Sequence, residues 1–144
     1  MSSSNATRTV QGVLPSSLGK YQSFIQQVLD ELAALGWQKP HLFGVQMALE
    51  ESISNAIRHG NKEDPAKHVH VECRLGANRF WARIRDEGEG YEPAAVPDCR
   101  SPKNLAAPGG RGLALIHFYM TSVEISDCGN CLTIEKELTE PTSR

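Results

Sequence analysis

An α+β fold, a two-layer sandwich with helices on one face of a mostly antiparallel sheet, is the class this sequence predicts. Three observations lead there. The segments run strand, two helices, two strands, loop, helix, two strands. The strands fall into hairpin-like pairs and do not alternate strictly with helices. A length of 144 residues suits one domain with one core, burying roughly two-thirds of the surface of the unfolded chain. We read residues 8–138 as that domain, with flexible termini at 1–7 and 139–144.

Taken in order, "RTVQGVL" reads as an edge strand closed by Pro15. From Ser16 to Leu35 the residues Leu18, Tyr21, Ile25, Val28, Leu29, Leu32 and Leu35 recur at helical spacing, with serine at the start and Gly36 at the end. A second helix follows Trp37, with Pro40 in its first turn and Gly60 as its stop. Its buried stripe is Leu42, Val45, Leu49, Ile53 and Ala56.

In "HVHVECRL" the residues Val69, Val71, Cys73 and Leu75 alternate with polar ones, and after the turn at Gly76-Ala77-Asn78 the run "RFWARIRD" sets Phe80, Ala82 and Ile84 on one face. The same alternation turns Asp86 inward at the strand's end. The other face carries Arg79, Trp81, Arg83 and Arg85, a solvated surface or a contact surface. Residues 87–109, rich in glycine and with four prolines, are too long for a plain connection and read as a lid, a binding loop or disorder. A helix begins at "GGRGLALIHFYM", and the strands "SVEIS" and "CLTIEKEL" close the chain around "DCGNC".

Composition narrows the function. Apolar content of 40%, charged content of 22% and a net charge of -2 give no electrostatic reason to expect nucleic acid or an anionic membrane as the main partner. The chain has no apolar run long enough to span a bilayer, and "MSSSNATRTV" lacks the apolar segment of a secretory signal, so a cytoplasmic protein is expected. Cys73, Cys99, Cys128 and Cys131 are then expected as reduced thiols. The pair in "CGNC" lacks the second ligand pair of a zinc site.

Three stretches bear chemistry. In "ALEESISNAIRHGN" the carboxylate of Glu51 and the carboxamide of Asn55 stand one turn apart, roughly opposite the stripe centred on Leu49. Gly44 and Ala48 share the sector of Asn55 and would let a ligand lie close to the helix. In "DEGEGY" an inward carboxylate at Asp86 is costly without hydrogen-bond donors, which a ligand could supply. Gly88 and Gly90 free the backbone beside it for close approach. In "PGGRGLAL" a glycine-rich loop runs into a helix, presenting N–H groups and the positive end of the helix dipole to an anion such as phosphate. It is not a Walker A loop, because no Lys-Ser or Lys-Thr follows the second glycine.

The order of these elements is more specific than any one of them. A glutamate four residues before an asparagine, then D-x-G-x-G after a strand, then a long loop ending in G-x-G at a helix start resembles the Bergerat-type ATP-binding fold of gyrase, mismatch-repair ATPases and sensor histidine kinases, from about residue 8 to residue 138. Within it, "EESISNAIRHGN", "DEGEGY" and "GGRGLALI" in a free-standing domain look most like the anti-sigma-factor serine/threonine kinases.

That resemblance implies ATP and Mg²⁺ as cofactors. Asn55 matches the asparagine that holds Mg²⁺, Asp86 the aspartate that accepts a hydrogen bond from the adenine amino group, and Glu51 the carboxylate that activates the acceptor hydroxyl. Gly88, Gly90, Gly110 and Gly112 match the nucleotide-loop glycines. Arg58 lies where relatives place a phosphate contact, or else on a solvated face. Which of Arg100, Lys103 and Arg111 reaches the γ-phosphate stays open. Thr133 resembles the last-strand threonine near adenine, although alternation sets it opposite Leu132 and Ile134.

The implied function is phosphorylation of an anti-sigma antagonist protein, with sequestration of a sigma factor in a partner-switching system. The expected partners are therefore a sigma factor and its antagonist, with a homodimer as a further expectation from relatives. The alternatives are a nucleotide-binding module that switches partner affinity without phosphoryl transfer, the ATP-binding piece of a histidine kinase, and a sandwich without nucleotide. Glu51 argues against the histidine kinase, where a second asparagine is usual.

Overall fold

The computed structural model describes residues 7–88, 110–126 and 130–138, with side chains omitted at 110–113 and 126. The elements are β1 (Arg8–Pro15), α1 (Gln22–Ala34), α2 (Lys39–Asn55) with a π-helical continuation at Ala56–Gly60, β2 (His68–Leu75), β3 (Arg79–Asp86), α3 (Gly110–Tyr119), β4 (Ser122–Ser126) and β5 (Cys131–Glu137). The five strands form one sheet in the order β1-β2-β3-β5-β4, and each neighbouring pair is antiparallel. This is the mixed α+β architecture of the Bergerat type, with β1 and β4 at the sheet's edges.

Alternation along each strand decides which face is covered. Val69, Val71, Cys73 and Leu75 of β2 and Phe80, Ala82 and Ile84 of β3 are buried, and they meet Ile25, Val28 and Leu32 of α1 and Val45, Leu49 and Ile53 of α2. Each fully buried aliphatic or aromatic side chain of this kind contributes about 1.5–3 kcal/mol. Gly12 in the middle of β1 leaves room for α1, since a methyl there would fall 2.9 Å from the ring of Phe24. Trp37 is buried too and donates its Nε1–H to the carbonyl of Gly76 at 2.9 Å, tying the connection between α1 and α2 to the hairpin turn between β2 and β3.

One helix boundary differs from expectation, and a second falls where expected but is closed by other residues. The first helix starts at Gln22, not near Ser16, and Leu18 is 42% exposed in the approach, where Gly19 takes φ +87°. A leucine at matching spacing is no proof of burial when the chain has already turned away. The second helix runs to Gly60 in a widened last turn, closed by Asn61 N–H on the carbonyl of Ala56 at 2.8 Å. The left-handed residues that end it are Lys62 and Glu63, so Gly60 serves a different purpose, described below.

The outer face of the sheet is ordered by charge pairing. The guanidinium of Arg74 lies 4.5 Å from the centroid of the half-buried Trp81 and that of Arg83 lies 5.7 Å away. Glu72 accepts from Arg74 at 3.0 Å and from Arg83 at 2.9 Å, and Arg79 pairs with Glu135. Cys73 and Cys131 are free and buried, and burial, with Glu72 adding to it, pushes the Cys73 thiol up to about 12. Cys99 and Cys128 lie outside the described residues. Among the described residues no helix is long and apolar enough to cross a membrane.

Candidate functional site

Two of the three chemistry-bearing stretches meet where the helical run that ends at Gly60 reaches the end of β3. Asp86, the last residue of β3, is 7% exposed. Its backbone N–H donates to the carbonyl of Asn130 at 3.0 Å, and its Oδ1 accepts the N–H of Gly88 at 2.9 Å. A methyl group on Gly60 would fall 2.2 Å from Asp86 Oδ2, and one on Gly88 would fall 1.9 Å from the carbonyl oxygen of Gly60. The two glycines and the carboxylate therefore fit only because neither glycine has a side chain.

Burial pushes the Asp86 carboxyl up to about 6, and the Gly88 N–H and then the charge of Lys67 act against that rise. A carboxylate offers about four acceptor positions. The bond from Gly88 leaves capacity for a further donor, and such a donor would offset the cost of burying the charge. An amino group presented by a ligand fits this residue. Among the described residues no cluster of histidine, cysteine and carboxylate groups is poised to cage a metal, but Mg²⁺ needs only one or two protein oxygens beside a triphosphate. The half-buried Asn55 can supply one.

Asn61, directly after Gly60, holds this corner together. It is 1% exposed, and all its polar capacity is directed inward. Its Nδ2 donates to Ser16 Oγ at 2.8 Å and to the carbonyl of His68 at 2.9 Å, while its Oδ1 accepts the N–H of Glu87 at 2.7 Å. Ser16 Oγ in turn donates to the carbonyl of Lys67 at 2.7 Å. One carboxamide thus joins the chain after β1, the start of β2 and the residue after Asp86. Sequence reading misses it, because an asparagine after a helix-ending glycine looks like any turn residue.

On α2, Glu51 and Asn55 are half-buried, one turn apart, on the helix that leads into Gly60. Gly44 and Ala48 do not leave room for a ligand as expected. Both are buried, and a methyl on Gly44 would come 3.0 Å from Cδ1 of Tyr119, so α3 lies against this part of the helix. Small residues let either a ligand or another helix approach, and here the helix takes the place. Glu50 accepts from Gln46 at 3.3 Å. The Tyr21 hydroxyl is pushed up first by burial and then by Glu50, with Arg58 opposing and Glu51 adding to the rise, so these four residues share one electrostatic neighbourhood. The Arg58 side chain is exposed.

Gly110, Arg111 and Gly112 form the first turn of α3, whose opening N–H groups have no partner within the helix. The Arg111 side chain and Gly90 lie outside the described residues, as do Arg100 and Lys103. Thr133 stands apart from the others. It pairs with Arg83 and Glu124, on the sheet face turned away from the helices. The residue level with Asp86 is Asn130, one step beyond the paired Arg85 and Cys131.

A helix-backed antiparallel sheet with this order of elements defines a Bergerat-type ATPase fold. The family model of the histidine kinase-like ATPase domain matches residues 14–136. Anti-sigma F factor from Heyndrickxia coagulans is 30% identical over 105 residues, which span 67% of this chain and 70% of that relative. Anti-sigma F factor from Oceanobacillus iheyensis is 31% identical over 85 residues, 56% of this chain and 57% of that relative. Anti-sigma F factor from Bacillus subtilis is 26% identical over 133 residues, 87% of this chain and 90% of that relative. The chain belongs to the histidine kinase-like ATPase family, in its anti-sigma-factor branch.

Proposed function

We propose that this protein is an ATP- and Mg²⁺-dependent serine/threonine protein kinase that acts as an anti-sigma regulatory factor in the cytoplasm. The observation that carries this reading is the buried Asp86 carboxylate, backed by Gly60 and Gly88, at the end of the helix that bears Glu51 and Asn55. On this reading Asp86 accepts a hydrogen bond from the adenine amino group. Guanine would present a carbonyl oxygen there, and two acceptors facing each other cost about 1–3 kcal/mol, so ATP is preferred to GTP.

The element suited to the phosphates is the N-terminus of α3, which begins at Gly110 and Gly112 and whose dipole favours negative charge. Asn55 would hold Mg²⁺ on the protein side, and the ion would supply neutralisation of phosphate charge. Gly90 belongs to the nucleotide loop, and Arg58 and Arg111 are the cations nearest in sequence to the phosphate-binding elements. Glu51 takes the proton from a serine or threonine hydroxyl of the antagonist as its oxygen bonds to the γ-phosphorus. The bond from that phosphorus to the β,γ-bridging oxygen breaks, and ADP leaves with the electron pair.

The relatives' name, anti-sigma F factor, supports a sigma factor as one partner and an antagonist as the other. The test is incubation with Mg-ATP and candidate antagonists from the same genome, read as phosphoserine or phosphothreonine by mass spectrometry. The expected result is one phosphate per antagonist, lost with Glu51→Gln while ATP still binds. ATP binding with neither ADP formation nor a phosphorylated partner would instead indicate a module that switches affinity by occupancy alone.

A further inference from the structure

We infer that Phe43, Tyr119 and Phe118 form a docking patch for an amphipathic helix of a protein partner, one whose apolar stripe is flanked by acidic side chains. The patch lies where α2 begins and α3 ends. Tyr119 sits between the two phenylalanines, its ring centroid 5.9 Å from that of Phe43 and 4.8 Å from that of Phe118, edge-on to both. Phe118 is 77% exposed and Phe43 51%, and they are the bulkiest apolar side chains that the described residues leave in solvent. Met47, one turn on from Phe43, and Leu115, one turn back from Phe118, are half-buried and extend the apolar surface along each helix. A contiguous group of exposed rings marks a place where another surface lands.

Size, shape and charge together name the occupant. At roughly 200 Å² for a whole phenylalanine side chain, the two rings expose about 250 Å². A standard stable interface covers about 800 Å² on each partner, so this patch suits a contact with one element that comes and goes. Gly44 brings α2 and α3 close beneath the rings, and two adjacent rows of side chains receive a third helix through anchors three or four residues apart. From Lys39 to Leu49 α2 carries no carboxylate, and α3 has none. The cations beside the rings are the exposed Lys39, one turn before Phe43, and Lys136, whose ammonium group donates to the Tyr119 carbonyl at 3.0 Å. The acidic half of the contact therefore comes from the partner. Residues 1–6 and 139–144 contain no aromatic or branched aliphatic side chain that could cover the rings. Asn55 lies about 18 Å further along α2 than Phe43, so partner and nucleotide can be held together.

The test places the photocrosslinker p-benzoylphenylalanine at position 43 or 118 of the full chain, in the cells that make the protein naturally, and reads the crosslinked peptides by mass spectrometry. Both positions should join the same segment of one other protein, with apolar residues three or four apart and Asp or Glu beside them. A synthetic peptide of that segment is then titrated against the unmodified protein and its variants. Phe118→Ser and Phe43→Ser should each weaken binding about tenfold. Lys39→Glu should weaken it about threefold, a loss that shrinks at high salt. All three variants should keep their melting temperature and bind ATP within about twofold of the parent, since these residues lie apart from the nucleotide site. Crosslinks to a second copy of this chain, to another part of the same chain, to a basic segment or to no single partner would overturn the proposal, and so would a peptide affinity that the three substitutions leave unchanged.

Discussion

Gly60 and Asp86 are in contact to the point that a single methyl group on the glycine would lie 2.2 Å from the carboxylate. The end of a helix and the end of a strand are thus locked at one distance by the absence of a side chain. Gly60→Ala must push Asp86 aside or open the widened turn at Ala56–Gly60. Because the atoms met belong to a buried carboxylate and no flexible tip is available to yield, we expect a loss of about 2–4 kcal/mol in stability and a loss of ATP binding larger than that of Arg58→Ala. Thermal melts and nucleotide titration of the two variants check this, and a Gly60→Ala protein of normal stability and affinity would show the contact to be unimportant.

Asp86 ties stability to pH. Its carboxyl is raised from 3.8 to about 6, chiefly by burial. Between those values the folded chain holds more protons than the unfolded chain, so this group's contribution to stability falls as pH rises through the window, by about 3 kcal/mol in all. Affinity for ATP should move the opposite way, strengthening as pH rises through about 6, because the ionised carboxylate is the better acceptor. Asp86→Asn should remove both slopes. It should be more stable than the parent at pH 8 and bind ATP at least about tenfold more weakly, since Gly88 would engage its oxygen and leave an NH₂ facing the adenine amino group. Melting and titration at pH 5 and pH 8 separate the two trends.

Asn61 offers a test of how the corner is held. Asn61→Ala would strip partners from the Glu87 N–H, the His68 carbonyl and Ser16 Oγ at once. At about 1–3 kcal/mol for each buried group left unmade, the expected loss is about 3 kcal/mol or more. Asn61→Asp keeps an acceptor for the Glu87 N–H but turns an oxygen toward the His68 carbonyl, so it should lie near the alanine variant and well below the parent. Urea denaturation measures this, and hydrogen exchange at Glu87 should quicken in both variants.

Gly44 reports on the seam between α2 and α3. A methyl there would be 3.0 Å from the Tyr119 ring, a tight contact that a small ring movement can relieve. Alanine also gains about 1 kcal/mol of helix propensity, so Gly44→Ala should change stability by less than about 1 kcal/mol. Gly44→Leu has no such relief and should cost about 2 kcal/mol or more, with α3 displaced. Denaturation midpoints of the two variants distinguish a tight seam from an empty one.

The strands and the inward turn of Asp86 were legible because period-two alternation persists through β2 and β3 and ends on a carboxylate. Glu51 and Asn55 were legible as a pair, since one helical turn separates them whatever lies around them. The neighbours of Gly44 were not. A small residue announces a close approach without naming what approaches, and only the tertiary fold brings Tyr119 there. Asn61 and Asn130 were overlooked for a related reason: both lie in turns, where asparagine is common for local backbone reasons, and their long-range partners come from Ser16, His68, Glu87 and Gly88. Leu18 shows the reverse error, a residue at matching spacing that falls outside the helix.

The order of strands has a consequence for how the protein is made. β5 is the last of the described strands but lies inside the sheet, between β3 and β4, and its preceding residue Asn130 closes the backbone of Asp86. A nascent chain that has emerged only as far as α3 therefore leaves the edge of β3 unpaired and the end of that strand without its neighbour. Synthesis must run almost to Glu137 before this corner can form, so an early-terminated product should be a target for chaperones and proteases instead of a partly working regulator.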